Sequence, residues 1–301
     1  HSQMIVSYLF FSLPLILGFI YFELLATYIL PENSPTEAFI GALLYIASPI
    51  MIVMQWSIFL TSVWLIGLFP ALVFYYLRFV SEKQIKYLYI SCILSLVLSV
   101  ALSAIPWLLG YIIPACLGLV ILVIAKTPII YTRSFWRRTA VFIGCIAITQ
   151  SFWLFPFVQA IFAPSPNSIG TALVSTSTKE TFVTTVNATA VGTIIYPMLN
   201  LFHHQIAQNF NWPQLPIFKN YYGPLSWFNL LFPAVFLLGL YHSKRNLSYS
   251  QRTLFLAIAV TYALSLYFFT INIGSLKNIF LYLGNIPGWV MFRNSFDKFA
   301  P

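Results

Sequence analysis

Residues 4–30 read Met-Ile-Val-Ser-Tyr-Leu-Phe-Phe-Ser-Leu-Pro-Leu-Ile-Leu-Gly-Phe-Ile-Tyr-Phe-Glu-Leu-Leu-Ala-Thr-Tyr-Ile-Leu, and this stretch decides the fold. Its one charged side chain is Glu23. The run exceeds the roughly 20 apolar residues that a helix needs to cross the hydrocarbon core of a bilayer. Runs of the same kind follow at 57–79, 87–105, 108–124, 139–162, 227–241 and 253–273. They are continuous rather than alternating, which sets aside a membrane β-barrel, whose strands alternate apolar and polar residues. The expected fold is all-α: a polytopic transmembrane helical bundle of about seven spans filling 1–301, with interfacial helices in its outer loops. The expected location is integral and multi-pass, in a prokaryotic plasma membrane.

Composition points the same way. Of 301 residues, 60% are hydrophobic and 7% charged, against roughly 25% charged in a soluble domain. Soluble globular, disordered, collagen-like and disulfide-framework classes are therefore excluded. Cys92, Cys116 and Cys145 all lie inside apolar runs and have no metal-type spacing.

A net charge of +9 would suit a nucleic-acid binder in a soluble protein. In a membrane protein, Lys and Arg gather in cytoplasmic loops and fix orientation. Ten of the fifteen cations fall in three short loops: Arg78, Lys83 and Lys86; Lys126, Arg133, Arg137 and Arg138; Lys244, Arg245 and Arg252. The charge thus reports orientation, and no nucleic-acid partner is expected. The apolar stretch 38–55 is read as an interfacial or re-entrant helix that shares one crossing with the span after it. The N-terminus and the basic loops then lie in the cytoplasm, while 31–37, 163–226 and 274–301 lie outside. The chain starts at His1 and stops at Pro301 within a patterned segment, so an excerpt of a larger protein is expected.

The long outer segment 163–226 is rich in Ser, Thr, Asn and aromatics, and loops of that length are usually functional. Within it Ile195, Leu199, Phe202, Ile206 and Phe210 fall on one helical face, as an amphipathic helix on the outer leaflet requires. His203 and His204 are adjacent, so they diverge around a helix and do not pair on a metal. They read as interfacial polar contacts, with His204 a candidate for an anionic substrate. Lys179 and Glu180 read as an exposed ion pair or a helix start with Thr178 as N-cap. Asn187-Ala-Thr189 fits a glycosylation acceptor. Glu23 reads either as a proton or substrate contact or as a group bonded to a neighbouring helix near the interface.

The outer segment 274–301 ends in Ile286-Pro-Gly-Trp-Val-Met-Phe-Arg-Asn-Ser-Phe-Asp-Lys-Phe299. Arg293 and Asp297 can pair at i, i+4, and Arg293 with Lys298 can clamp a phosphate. Together with Phe152-Trp-Leu-Phe-Pro156, the Ser/Thr-rich stretch 174–187 and Asn-Trp-Pro213, this order of parts resembles a known group over 139–301. The chain looks like the GT-C class of polytopic glycosyltransferases, nearest to the large arabinofuranosyltransferases and the YfhO-like membrane proteins.

That resemblance implies transfer of a sugar from a polyprenyl-phosphate donor to a cell-envelope glycan or protein acceptor on the outer face. Arg293 and Lys298 match the family segment and are expected to touch the donor phosphate. The family's catalytic carboxylate has no match here, leaving Glu32 and Glu37 as weak candidates. No cofactor is identified, and a divalent metal has no ligand set in the sequence. A transporter or flippase of lipid-linked glycan, with discontinuous helices and midplane ionisable groups, is the alternative. A non-catalytic membrane scaffold is the third.

Overall fold

A computed structural model of the chain describes residues 2–29, 35–47, 60–102, 132–162, 179–188 and 274–286, with single helical positions at 234, 238 and 260. Every described element is helical. They are α1 (Ser2–Ile29), α2 (Pro35–Ile46), α3 (Leu60–Glu82), α4 (Ile85–Val97), α5 (Ser99–Leu102), α6 (Arg133–Thr149), α7 (Ser151–Phe162), α8 (Lys179–Ala188) and α9 (Gly274–Leu283). The chain divides into two compact units, His1–Ile105 with Thr132–Gln159, and Pro106–Tyr131 with Ala160–Pro301. Among the described residues one helix, α1, holds a stretch (Ser12–Ile29) long and apolar enough to cross a membrane.

In the first unit α1 packs along α3, and small residues allow the approach. A Cβ built on Gly67 would lie 2.5 Å from the Pro14 carbonyl oxygen, and one on Gly18 would lie 3.2 Å from Gly67 Cα. Small residues at a crossing let backbones approach where hydrophobic burial between helices offers little. The other pairs run in order along both helices. Phe10 meets Trp64, Tyr21 meets Tyr75, and Tyr28 bonds Ser81. The sequence separation stays at 53 or 54 in the two hydroxyl contacts, so α1 and α3 run parallel.

This parallel packing corrects the expected topology. The end of α1 lies beside the end of α3, where the expected topology has the two helices antiparallel. The start of α1 and the basic link after α3 consequently sit at opposite ends of this unit. Helix α2 is shorter than the expected 38–55 segment and lies across α1. Phe39 meets Phe19 edge to face, and Tyr45 stacks on Phe22.

Two residues, Lys83 and Gln84, turn the chain from α3 into α4, with Lys83 in the left-handed region at φ 65°. Phe79, Tyr87, Leu88 and Phe142 form the core where α3, α4 and α6 meet. The basic loops 78–86 and 126–138 were expected on one side. In the described parts they adjoin, because Arg138 Nη1 donates to the Val80 carbonyl at 2.7 Å and Tyr76 bonds Thr139 at 2.8 Å.

The outward faces of this unit are apolar. Leu9, Leu13, Ile16, Ile20 and Leu24 form an exposed stripe on α1, and Ile85, Tyr89, Ile93 and Leu96 form another on α4. The buried side carries hydroxyls and an amide at Ser91, Ser95, Thr139 and Gln150. Contiguous exposed apolar faces of this extent mark contact with a membrane or another protein.

Candidate functional site

Two places gather polar groups, and the first is the α8–α9 pair of the second unit. Glu180 in the first turn of α8 suits the positive end of the helix, as the expected helix start requires. Phe182 and Val186, one turn apart, are fully buried, as is Phe280 of α9. The Phe182 and Phe280 rings lie 5.3 Å apart.

Helix α9 ends at a close approach. A Cβ on Gly284 would come within 2.6 Å of the Phe182 ring. The exit tightens through Gly284 N to Phe280 O, Asn285 N to Tyr282 O and Ile286 N to Leu283 O. Asn285 Nδ2 donates to the Tyr282 carbonyl at 2.9 Å, which fixes the amide. Its Oδ1 accepts from Lys179 Nζ at 2.7 Å. An ammonium carries three donors, so the exposed Lys179 retains two for an anion.

The expected Lys179–Glu180 pairing is thus replaced by a contact with Asn285, 106 positions away. This joins the Ser/Thr-rich outer segment to the residue just before Ile286-Pro-Gly-Trp. Asn187, of the acceptor-like triplet, is exposed on the last turn of α8.

The second place is a polar layer inside the first unit. Ser95 Oγ meets Thr149 Oγ1 at 2.7 Å, and Gln150 Nε2 donates to the Ser95 carbonyl at 2.7 Å. Gln150 Oε1 accepts from Trp153 Nε1 at 2.6 Å. Ser91, Ser95, Ser99 and Thr149 also bond back to carbonyls three or four residues earlier, a habit that bends helices.

The span expected at 139–162 has one irregular residue at Gln150 and the span expected from 87 has one at Leu98, with main-chain bonds to the fourth residue back continuing through both points. Each was expected as one regular helix because apolar residues continue through both points. The two points lie side by side. Ser95 is about 12 Å along its helix from Tyr87 at 1.5 Å per residue. No Asp, Glu, Lys, Arg or His belongs to the layer.

Of the other residues singled out from sequence, Glu37 is exposed in the first turn of α2 and Glu23 is half-buried on α1. Glu32, His204, Arg293 and Lys298 lie outside the described residues, as do the amphipathic stretch 195–210 and the spans 108–124 and 227–241 save the helical positions 234 and 238. Among the described residues no three His, Cys, Asp or Glu side chains gather as a metal site would need. Asn285 and Gln150 were missed by sequence reasoning. The serines at 91, 95 and 99 were the available signal, since their spacing of four puts them on one helical face. Comparison with protein-family models, curated proteins and solved structures finds no match to this chain.

Proposed function

We propose that the chain is a multi-pass membrane glycosyltransferase. It would move a sugar from a polyprenyl-phosphate donor to a cell-envelope glycan or protein acceptor at the outer face. The bundle would hold seven apolar spans and a return pass through 30–59. The observation that carries this reading is the α8–α9 pair, in which Lys179 is anchored on Asn285. Arg293 and Lys298 follow Asn285 by eight and thirteen positions, so three cations belong to two adjoining segments.

In the proposed step the acceptor oxygen bonds to the anomeric carbon and the carbon–oxygen bond to phosphate breaks. The lipid phosphate leaves with the bonding electrons, and the acceptor proton passes to a carboxylate. Cations around the departing phosphate stabilise its charge. Glu180, exposed beside Lys179, takes the role of that carboxylate in this reading.

The test is transfer from a radiolabelled polyprenyl-phosphate sugar by the full chain in liposomes. Arg293→Ala is expected to lower the rate by about 100-fold with the helical content kept, and Glu180→Gln by a comparable factor. Unchanged transfer in both variants would remove the assignment.

The buried polar layer of Ser95, Thr149 and Gln150 favours a second reading, a flippase for the same lipid-linked glycan, because polar groups inside a membrane bundle mark substrate pathways. It predicts movement of the labelled lipid across liposomes with no transfer to acceptor.

A further inference from the structure

We propose that the α3–α4 link and the first turns of α6 form a binding site for the phosphate of an acidic phospholipid headgroup. The proposal rests on the membrane reading of these helices and concerns the cation-rich end of the first unit.

Three elements bring cations together here. Arg138, bonded to the Val80 carbonyl, pins the start of α6 to the last turn of α3. That contact brings the first turn of α6, which carries Arg133 and Arg137, to the end of the first unit that holds the link with Lys83 and Lys86. All four side chains are exposed, and none makes an ion pair among the described residues. The carboxylate on the link is already engaged. Glu82 accepts from Arg78 Nε at 2.5 Å and from the Tyr87 hydroxyl at 2.7 Å. Its neighbour Arg78 lies 4.5 Å from the Tyr87 ring centroid. Among the described residues, no carboxylate therefore compensates the remaining positive charge at this end.

The arrangement is costly without an anion. The first turn of α6 holds no acidic residue, and its cations crowd the positive end of the helix dipole. Lys83 holds a left-handed backbone that Gly or Asn adopts more cheaply. A cation is kept at a position where the turn alone would favour another residue.

Lipid, rather than an acidic protein, is the occupant that the surroundings fit. Exposed Ile85, Tyr89 and Ile93 continue from the link along α4, and exposed Trp136 stands beside Arg137. An amphipathic ring at headgroup level with apolar side chains beyond it is the pattern of a membrane interface. The phosphate would meet the cations while the acyl chains lie against those faces.

The experiment uses the full chain in maltoside detergent and follows its melting temperature during titration with phosphatidylglycerol, phosphatidylcholine or inorganic phosphate. Phosphatidylglycerol is expected to raise the melting temperature at concentrations where the other two do not. The variant Lys83→Gln, Lys86→Gln, Arg133→Gln, Arg137→Gln should melt at or above the temperature of the parent without lipid, because it removes like charge from the start of α6. Its half-saturating phosphatidylglycerol concentration should rise on the order of 600-fold, since each of the four cations near an anionic surface contributes about fivefold. Should the fourfold variant misfold, Arg137→Gln alone should shift that concentration about fivefold.

Equal half-saturation in parent and variant would overturn the proposal. So would an equal effect of phosphatidylcholine, which denotes nonspecific lipid, or of inorganic phosphate, which denotes a soluble anion. A chain that stays monodisperse without detergent sinks the membrane reading itself; one that needs detergent but ignores phosphatidylglycerol sinks this site alone.

Discussion

Replacing Gly67 by alanine probes the closest helix contact in the first unit. The new Cβ would stand 2.5 Å from the Pro14 carbonyl oxygen, 2.9 Å from Pro14 Cβ and 3.0 Å from Pro14 C. All three are backbone or ring atoms that cannot swing aside. Reaching an ordinary contact near 3.4 Å requires α1 and α3 to part by roughly 0.5–1 Å, and a gap of that size forfeits a quarter to a half of each contact's attraction.

Overpacking of this kind costs about 1–3 kcal/mol, partly offset by the 0.5–1 kcal/mol or so that alanine gains over glycine within a helix. Gly18→Ala meets its nearest atoms at 3.2 Å and should cost less. At Gly144 a Cβ meets nothing within 4 Å, so Gly144→Ala should be neutral or stabilising. Unfolding of the purified chain in mixed micelles with increasing dodecyl sulfate measures all three. The expected order of stability is Gly144→Ala, then Gly18→Ala, then Gly67→Ala. Equal stability of the first and last would refute the α1–α3 crossing.

Gln150→Leu leaves Trp153 Nε1 without its acceptor and should cost about 1–2 kcal/mol in the same titration; no loss would mean the polar layer is absent. Phe182→Ala empties a fully buried position and should cost about 3–5 kcal/mol locally. A short bis-maleimide should join cysteines placed at Lys179 and Asn285, and Phe182→Ala should abolish that crosslink. Arg78, and then Tyr87, hold the Glu82 carboxyl below its ordinary value near 4.5. A depressed carboxyl contributes in full above that value and fades as pH falls through its folded value. Acid melting below about pH 4.5 should therefore flatten in Glu82→Gln, and an unchanged slope would show that the link does not depend on this carboxylate.

Helix content was legible because apolar runs of span length leave few alternatives. The stretch 4–30 became α1 (Ser2–Ile29), and 57–79 became α3 (Leu60–Glu82). The side-by-side placement of Arg78–Lys86 and Arg133–Arg138 was also legible, because like charge in short loops reports a common side. The direction of α1 was not. Hydropathy is the same read either way along a helix, and the only charge within it, Glu23, does not orient it. The irregular residue at Gln150 was hidden for a related reason: Ile146, Ile148 and Phe152 keep the apolar pattern while one amide turns inward. The meeting of Phe182 with Phe280 joins residues about a hundred positions apart, and neither belongs to an apolar run. Of the outer site, sequence named Lys179 but not its partner.

The central claim is the parallel run of α1 and α3, which sets Ser2 and the Lys83 link at opposite ends of the first unit; the proposed function adds a cytoplasmic link and an outer transfer site. Single cysteines at Ser2, Lys83, Arg133 and Asn285, in a background with the three native cysteines replaced by alanine, test it in intact cells with a membrane-impermeant maleimide. The account predicts labelling of Ser2→Cys and Asn285→Cys from outside, and of Lys83→Cys and Arg133→Cys after permeabilisation alone. Labelling of Ser2→Cys together with Lys83→Cys, or of all four positions alike, would contradict it.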